Sequence, residues 1–413
     1  MKESFDNTKN INGPIGVYRL EGTVNNVKKV LYLFADVHIY ESRCKDNFSL
    51  DINQYIVREM IKINNNSDDI KYDFFLEIYP ASYDPEYVAI KTAPSSYINN
   101  LRNTFEKYVN FDEVDNKMKI SKFGAKSRLH YIDIRGNVMD RITFHPSIFT
   151  NLQNGDLYQI QSNIKTILMD MIHLHELLIE ISTNDKSDKS AQNYSTTLID
   201  ILKSKEASED YDKKHTDYFR VILNKLNNQY KNNEVKKIII TDFINIIDSN
   251  KICVEKLLVL HDKINKYITY FESMHNKINS KNGRLIYGIL YEDKMDVVYG
   301  WNKEYSYFFS IFLRNSVRLM DLYFIRRFID KTYVTHGIGF TGAAHTMNII
   351  HILVNVFNFK LTDSSTNKYK INEINSMIKK IDKNILEEEM GKILLPDTFT
   401  QCTNMSNFPD LFL

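Results

Sequence analysis

At two points in this chain a histidine follows a small residue by three positions: Ala35-Asp36-Val37-His38 and Gly342-Ala343-Ala344-His345. Each stretch comes at the end of an apolar, β-prone run, so each reads as a sharp turn that leaves an imidazole at a strand's carboxyl end. A third apolar run, YDFFLEIY, carries Glu77 at its end. Two histidines and a carboxylate, if their strands are neighbours, make a ligand set for a divalent metal ion with an open position. Taken singly, a buried histidine is more often a hydrogen-bonded core residue than a site residue, so the force lies in the combination.

A competing chemistry overlaps the second turn. Gly337, Gly339 and Gly342 have the GxGxxG spacing of a dinucleotide-binding turn, and Asp363 stands near the place of the acid that would hold the ribose. That fingerprint usually opens its domain, whereas only one further helix and a tail follow here. A turn presenting His345 is therefore preferred. Asp133 and Arg135, in IDIRGN, fit an internal ion pair at a strand end and are secondary site candidates by their position. His173 and His175, in HLHELLIE, point to different helix faces and do not form HExxH. His336 and His351 are assigned to packing.

These residues need elements to position them. In the first third, KKVLYLFADVH, YDFFLEIY and RLHYIDIRG are strand candidates, and DINQYIVREMIKI carries apolar residues at helical spacing. Near-continuous apolar strands separated by helices point to a mostly parallel sheet covered on both faces, with sites at the carboxyl ends of its strands. The middle is helical in pattern and contains no proline from Ser147 to Ser280; VKKIIITDFINII fits strand or helix, and its spacing favours helix. The last third returns to α/β, with a long helix carrying Arg314, Asn315, Arg318 and Asp321, then strand, turn and helix around His345, and a further strand candidate, FKLTDSS. The expected architecture is α/β: residues 1–146 as one half of the core, 147–285 as a large α-helical insertion or cap, and 286–413 as the other half with a helical tail.

The 413 residues suffice for a sizeable core, and Lys+Arg 53 against Asp+Glu 52 leave no net field to recruit nucleic acid or an anionic surface. No basic and apolar leader is visible, and no apolar run reaches the roughly 18 residues that span a bilayer. Cys44, Cys253 and Cys402 are odd in number and form no CxxC, so a reduced intracellular compartment is the simpler expectation and the protein is expected to be soluble. The bias towards Asn, Lys, Ile and Tyr fits an AT-rich genome, such as that of a large DNA virus, a protozoan or a low-GC bacterium. A GxxxxGK[ST] loop, a GxSxG elbow and zinc-finger spacing are all missing.

YLFADVHIYESRC, YDFFLEIYP, FLRNSVRLMD and IGFTGAAHTMNIIHIL resemble, in order and spacing, the TraB/Tiki proteins and their wider clan with the erythromycin esterases and ChaN-like proteins. The resemblance covers the first hundred residues and the region from Leu313 to Leu353, and marks His38, Glu77, Arg314, Asn315, Gly342 and His345. Ala35 stands where the family has glycine, a departure that bears on site geometry. What the resemblance implies is a hydrolase of unknown peptide or ester substrate, either metal-assisted or metal-independent. In the metal-assisted case His38, Glu77 and His345 hold the ion, which lowers the pKa of a bound water. Arg314 would stabilise the oxyanion, Asn315 would orient it, and Asp36 and Glu41 could fix an imidazole tautomer. The alternative is a catalytically inactive structural or interaction protein, for example of a large DNA virus, that keeps the fold.

Overall fold

Asn25 and Asn26 take positive φ, 50° and 61°, the left-handed pair that a two-residue hairpin turn requires and that asparagine tolerates. They join β2 (Gly16–Val24) to β3 (Val27–Asp36) in antiparallel register. The structure, a computed structural model, describes residues 10–37, 44–45, 49–66, 68–78, 97–112, 117–120, 126–134, 157–182, 222–228, 230–278, 283–366, 368–382 and 386–413. The chain divides into two compact units, Met1–Asp133 with Tyr323–Leu413, and Ile134–Leu322.

The first unit is mixed α/β. Its main sheet has the order β10-β2-β3-β9-β5-β8, with β5 (Tyr72–Leu76), β8 (Ser127–Tyr131), β9 (His336–Gly342) and β10 (Lys360–Ser364). Strands β3, β9, β5 and β8 run parallel, while β2 is antiparallel to both β3 and β10. The sheet is thus mostly parallel and joins strands from both ends of the chain. Strand β9 lies between β3 and β5, with Asp36 opposite Gly342 and Leu76 opposite Phe340.

The polar residues of β2 hide it in the sequence. Arg19 and Glu21 interrupt its apolar run, and the fold absorbs them by pairing Arg19 with Glu21 and, at 3.3 Å, with Asp363 of β10. Asp363 therefore has a structural partner rather than a ribose.

Alternate residues of each strand face opposite sides. On one side Tyr32, Phe34, Phe74, Leu76, Ile338 and Phe340 join an apolar cluster that also takes in residues of α1 (Ile52–Asn65) and α2 (Tyr97–Tyr108). On the other side Phe75 meets the rings of Phe324 and Phe328, in the last turns of α5 (Gly283–Asp330). A Cβ on Gly337 would lie 2.8 Å from Leu31 Cδ1 and 3.0 Å from Phe328, and one on Gly339 2.8 Å from Leu33 Cδ2. Both glycines are thus interior strand residues that let α5 approach the sheet. Their spacing does not build a phosphate loop.

A small sheet, β11-β1-β4, forms from β1 (Asn10–Asn12), β4 (Leu50–Asp51) and β11 (Cys402–Asn404). Beside it Cys44 and Cys402 are joined by a disulfide, whereas Cys253 is buried and free. This corrects the expectation of a fully reduced set. The partners are 358 residues apart, and no spacing rule links cysteines so distant. A hairpin of β6 (Val109–Asp112) and β7 (Lys117–Ile120) and the helices α6 (Ala343–Asn355), α7 (Ile371–Ile378) and α8 (Leu386–Leu394) complete the unit's described regular elements, apart from a 3-10 turn at Asp410–Phe412.

In the second unit the described residues form α3 (Leu157–Ser182), a helical stretch at 222–228, α4 (Asn233–Ile278) and most of α5. Ile160, Ile164, Ile167, Met171, Leu174 and Leu178 are buried along α3 at alternating steps of four and three, the stripe a helix needs to pack on another. The ambiguous VKKIIITDFINII is helical, within α4. Among the described residues no helix is long and apolar enough to cross a membrane.

Candidate active site at the carboxyl edge of the sheet

Glu77 follows directly on β5, and its N–H donates to the Phe340 carbonyl at 3.2 Å, extending the ladder to β9 by one bond. That bond carries the carboxylate to the point where β9 ends and α6 begins. Gly342 closes β9 and caps α6, and His345 lies in the helix's first turn. Glu77 Oε2 accepts the Gly342 N–H at 2.6 Å, and Oε1 lies 3.1 Å from His345 Nε2. Both side chains are buried, Glu77 at 6% and His345 at 3% exposure.

The arrangement is electrostatically consistent. A helix N-terminus offers unpaired N–H groups and positive potential, so a carboxylate placed there is stabilised. With Nε2 donating to Glu77, the neutral imidazole carries its lone pair on Nδ1. Thr341 and Thr346, both fully buried, share a 2.7 Å hydrogen bond that ties the strand end to the first turn of α6.

Asp36, at the end of β3, is buried, and its Oδ1 accepts the Val37 N–H at 2.9 Å and the Gln401 side-chain amide at 3.1 Å. Its register partner is Gly342. Asp133 is buried two residues past β8, where the Ile132 N–H donates to the Leu76 carbonyl at 2.9 Å. The carboxyl ends of four adjacent strands thus carry Asp36, Gly342 with His345, Glu77 and Asp133. Of the sequence candidates, the structure pairs Glu77, Gly342 and His345 directly. His38, Glu41 and Arg135 lie outside the described residues. Arg314 and Asn315 lie on α5 within the second unit: Arg314 is exposed, and Asn315 is buried and donates to Ser249 of α4 at 3.1 Å.

Glu77 and His345 supply two metal donors, but both oxygens of Glu77 already face hydrogen-bond donors. Among the described residues no three His, Cys, Asp or Glu side chains gather to hold an ion. The donor set described falls short of a metal site.

A second acid–imidazole pair, passed over in the sequence, sits at the amino end of the same strand. Asp73 Oδ1 accepts from Arg128 Nε at 2.8 Å and lies 2.7 Å from His130 Nε2, while Oδ2 accepts from Arg128 Nη2 at 2.5 Å. Burial alone would raise Asp73, but the hydrogen bonds from His130 and Arg128 outweigh it and hold its carboxyl below the usual range. Burial pushes His130 below its ordinary value, against the opposing Asp73 bond. Nearby, Lys29 Nζ donates to the carbonyls of Phe328, Lys331 and Val334 at 3.0, 2.9 and 2.5 Å. Burial pushes this amine down to about 8 despite Asp73 and Asp330. The signal available in the sequence was polar residues inside otherwise apolar strand runs.

Residues 9–413 match DUF5847, a family of unknown function. Three uncharacterized proteins of Acanthamoeba polyphaga mimivirus are similar over nearly their whole length. They are 30%, 28% and 29% identical to this chain, each over 98% of it, and the matches cover 98%, 98% and 97% of those proteins. No solved structure matches.

Proposed function

We propose, from the premise that this chain belongs to the DUF5847 family, that it is a hydrolase in which His345 activates water for attack on a peptide or ester carbonyl. The observation that carries this is the buried pair of His345 Nε2 and Glu77 Oε1 at 3.1 Å, held at a strand-to-helix turn by the Gly342 N–H. His345 Nδ1 takes a proton from water as its oxygen attacks the carbonyl carbon, and returns it to the leaving amine or alkoxide when the tetrahedral intermediate collapses. Glu77 fixes the tautomer and stabilises the imidazolium between those steps. Order and spacing resembling the TraB/Tiki and erythromycin-esterase clan support the same reaction class. The helical pattern of the sequence over residues 147–285 supports reading that segment as an insertion into the α/β core.

The metal-assisted version needs a third ligand, which the resemblance assigns to His38, and no step above runs through an ion. Elemental analysis of the purified protein beside a His38→Ala, His345→Ala double variant tests it: one equivalent of a divalent metal, lost in the variant, supports that version. The hydrolase itself is tested with a panel of chromogenic esters and fluorogenic peptides. Turnover that His345→Ala and Glu77→Gln both abolish supports the assignment, and turnover indifferent to both removes it.

A second function has its own observation. Glu77 and His345 are almost wholly buried, as in a pair that only braces α6 against the sheet. A catalytically inactive structural or interaction protein would keep that pair, and it predicts no turnover together with loss of stability in both variants.

A further inference from the structure

We infer that the Cys44–Cys402 disulfide is a redox latch holding the C-terminal strap, residues 399–413, against the carboxyl edge of the main sheet. The inference is independent of any hydrolytic chemistry.

The strap's strand pairing without the disulfide is short. Strand β11 pairs only Asn404, Thr403 and Cys402 with Asn10, Ile11 and Asn12 of β1, at the edge of the small three-stranded sheet. Side chains add to it: Thr403 Oγ1 donates to the Pro14 carbonyl at 2.7 Å, Gln401 to Asp36 at 3.1 Å, Arg19 Nε and the Tyr32 hydroxyl to the Leu413 carbonyl at 2.8 and 2.9 Å, and Met405, Phe408 and Phe412 join the sheet's apolar cluster. Of these, Phe408 and Phe412 pack on Tyr32. By contrast β3 and β9 are central strands paired on both sides. Opening the cross-link therefore lowers the local cost of releasing the strap while leaving the sheet intact.

The two residues differ in exposure. Cys44 is buried, whereas Cys402 is only partly buried, so Cys402 is the side from which an attacking thiolate would approach. Cys253, at 1% exposure, has its thiol pushed up to about 12 by burial and is inert by comparison. A dithiol delivers two electrons and two protons, leaving two protein thiols and itself oxidised to a cyclic disulfide. In the reverse direction a small disulfide such as oxidised glutathione accepts the electrons and departs as two thiols. Strap release removes the Gln401 donor from Asp36, the register neighbour of Gly342. The chain's redox state thereby reaches the edge where Glu77 and His345 sit.

The test uses the full chain. Thiols are first counted under denaturing conditions after equilibration with oxidised glutathione or with dithiothreitol: one reactive thiol in the first case and three in the second are expected. Amide exchange is then compared between the two forms. Loss of protection at Ile11 and Thr403 by at least about tenfold on reduction, with β3 and β9 unchanged, is the expected result. Cys402→Ser should show the same pattern in oxidised buffer and no further change with dithiothreitol. Three thiols in both buffers would overturn the inference. So would a strap whose protection is unaffected by reduction, or one lost together with that of β3 and β9, because the disulfide would then be absent, passive or simply required for the fold.

Discussion

Strand β5 carries an acid–imidazole pair at each end. At its amino end Asp73 bonds His130 and a guanidinium; at its carboxyl end Glu77 bonds His345 and a backbone N–H. The difference lies in the third partner. Arg128 neutralises Asp73 and fills its remaining oxygen, which makes a closed ion cluster suited to pinning an edge strand. Glu77 instead meets the start of a helix, with the Gly342 N–H on one oxygen and His345 on the other, a placement in which it can stabilise a proton on His345. Two pairs of the same chemistry thus divide into brace and candidate catalyst by which end of a parallel strand they occupy.

The largest effect that could break this comparison is kinetic. His345→Ala should reduce kcat on any substrate found by about 10²–10⁴-fold, the usual worth of a positioned general base, whereas His130→Ala should leave kcat within about twofold. Equal losses in the two variants, measured on protein shown to be folded, would erase the distinction between the ends. Next in size is stability. Asp73→Ala leaves Arg128 and His130 without their carboxylate and should cost about 3 kcal/mol in urea denaturation, the lower part of the range for broken buried pairs because Arg128 is partly exposed. Glu77→Gln, which keeps a hydrogen-bonding oxygen, should cost less than half as much. The reverse order would make Glu77 the brace.

Smaller again is the effect of filling the glycine contacts. Gly337→Ala must displace both Leu31 and Phe328 and should cost about 1–3 kcal/mol by overpacking, with no dinucleotide binding by calorimetry in either form. Tight binding of NAD or ATP, lost in the variant, would restore the phosphate-loop function. The smallest effect is on pH dependence. His130, like His336, is held below its ordinary 6.5 by burial, so the unfolded chain binds the proton first and stability falls as pH drops below about 6.5. His130→Asn should flatten the slope of unfolding free energy between pH 7 and 5, and an unchanged slope would show that His130 does not contribute.

How far this was legible in the sequence depends on range. The runs containing Val30 to Phe34, Phe74 to Leu76 and Leu129 were readable as strands because burial on both faces leaves near-continuous apolar stretches. Strand β2 was not, because Arg19 and Glu21 interrupt its pattern, although Asn25-Asn26 held the turn signal. His345 and Glu77 were readable as candidates from their place at strand ends. The Gly337 and Gly339 spacing kept a phosphate loop as a competing reading, since a glycine that admits a helix and one that admits a pyrophosphate are the same letter.

By itself, then, the sequence determined the apolar core strands and the amphipathic helices, that the sheet is mostly parallel, and that polar groups stand at its carboxyl ends. Those properties depend on neighbours a few residues away, through side-chain periodicity and turn chemistry. Only the tertiary structure decided that β9 inserts between β3 and β5, that Glu77 meets His345 rather than another partner, and that Cys44 pairs with Cys402. Each is a contact between distant parts of the chain, selected by which faces bury together, and local pattern carries no record of that choice.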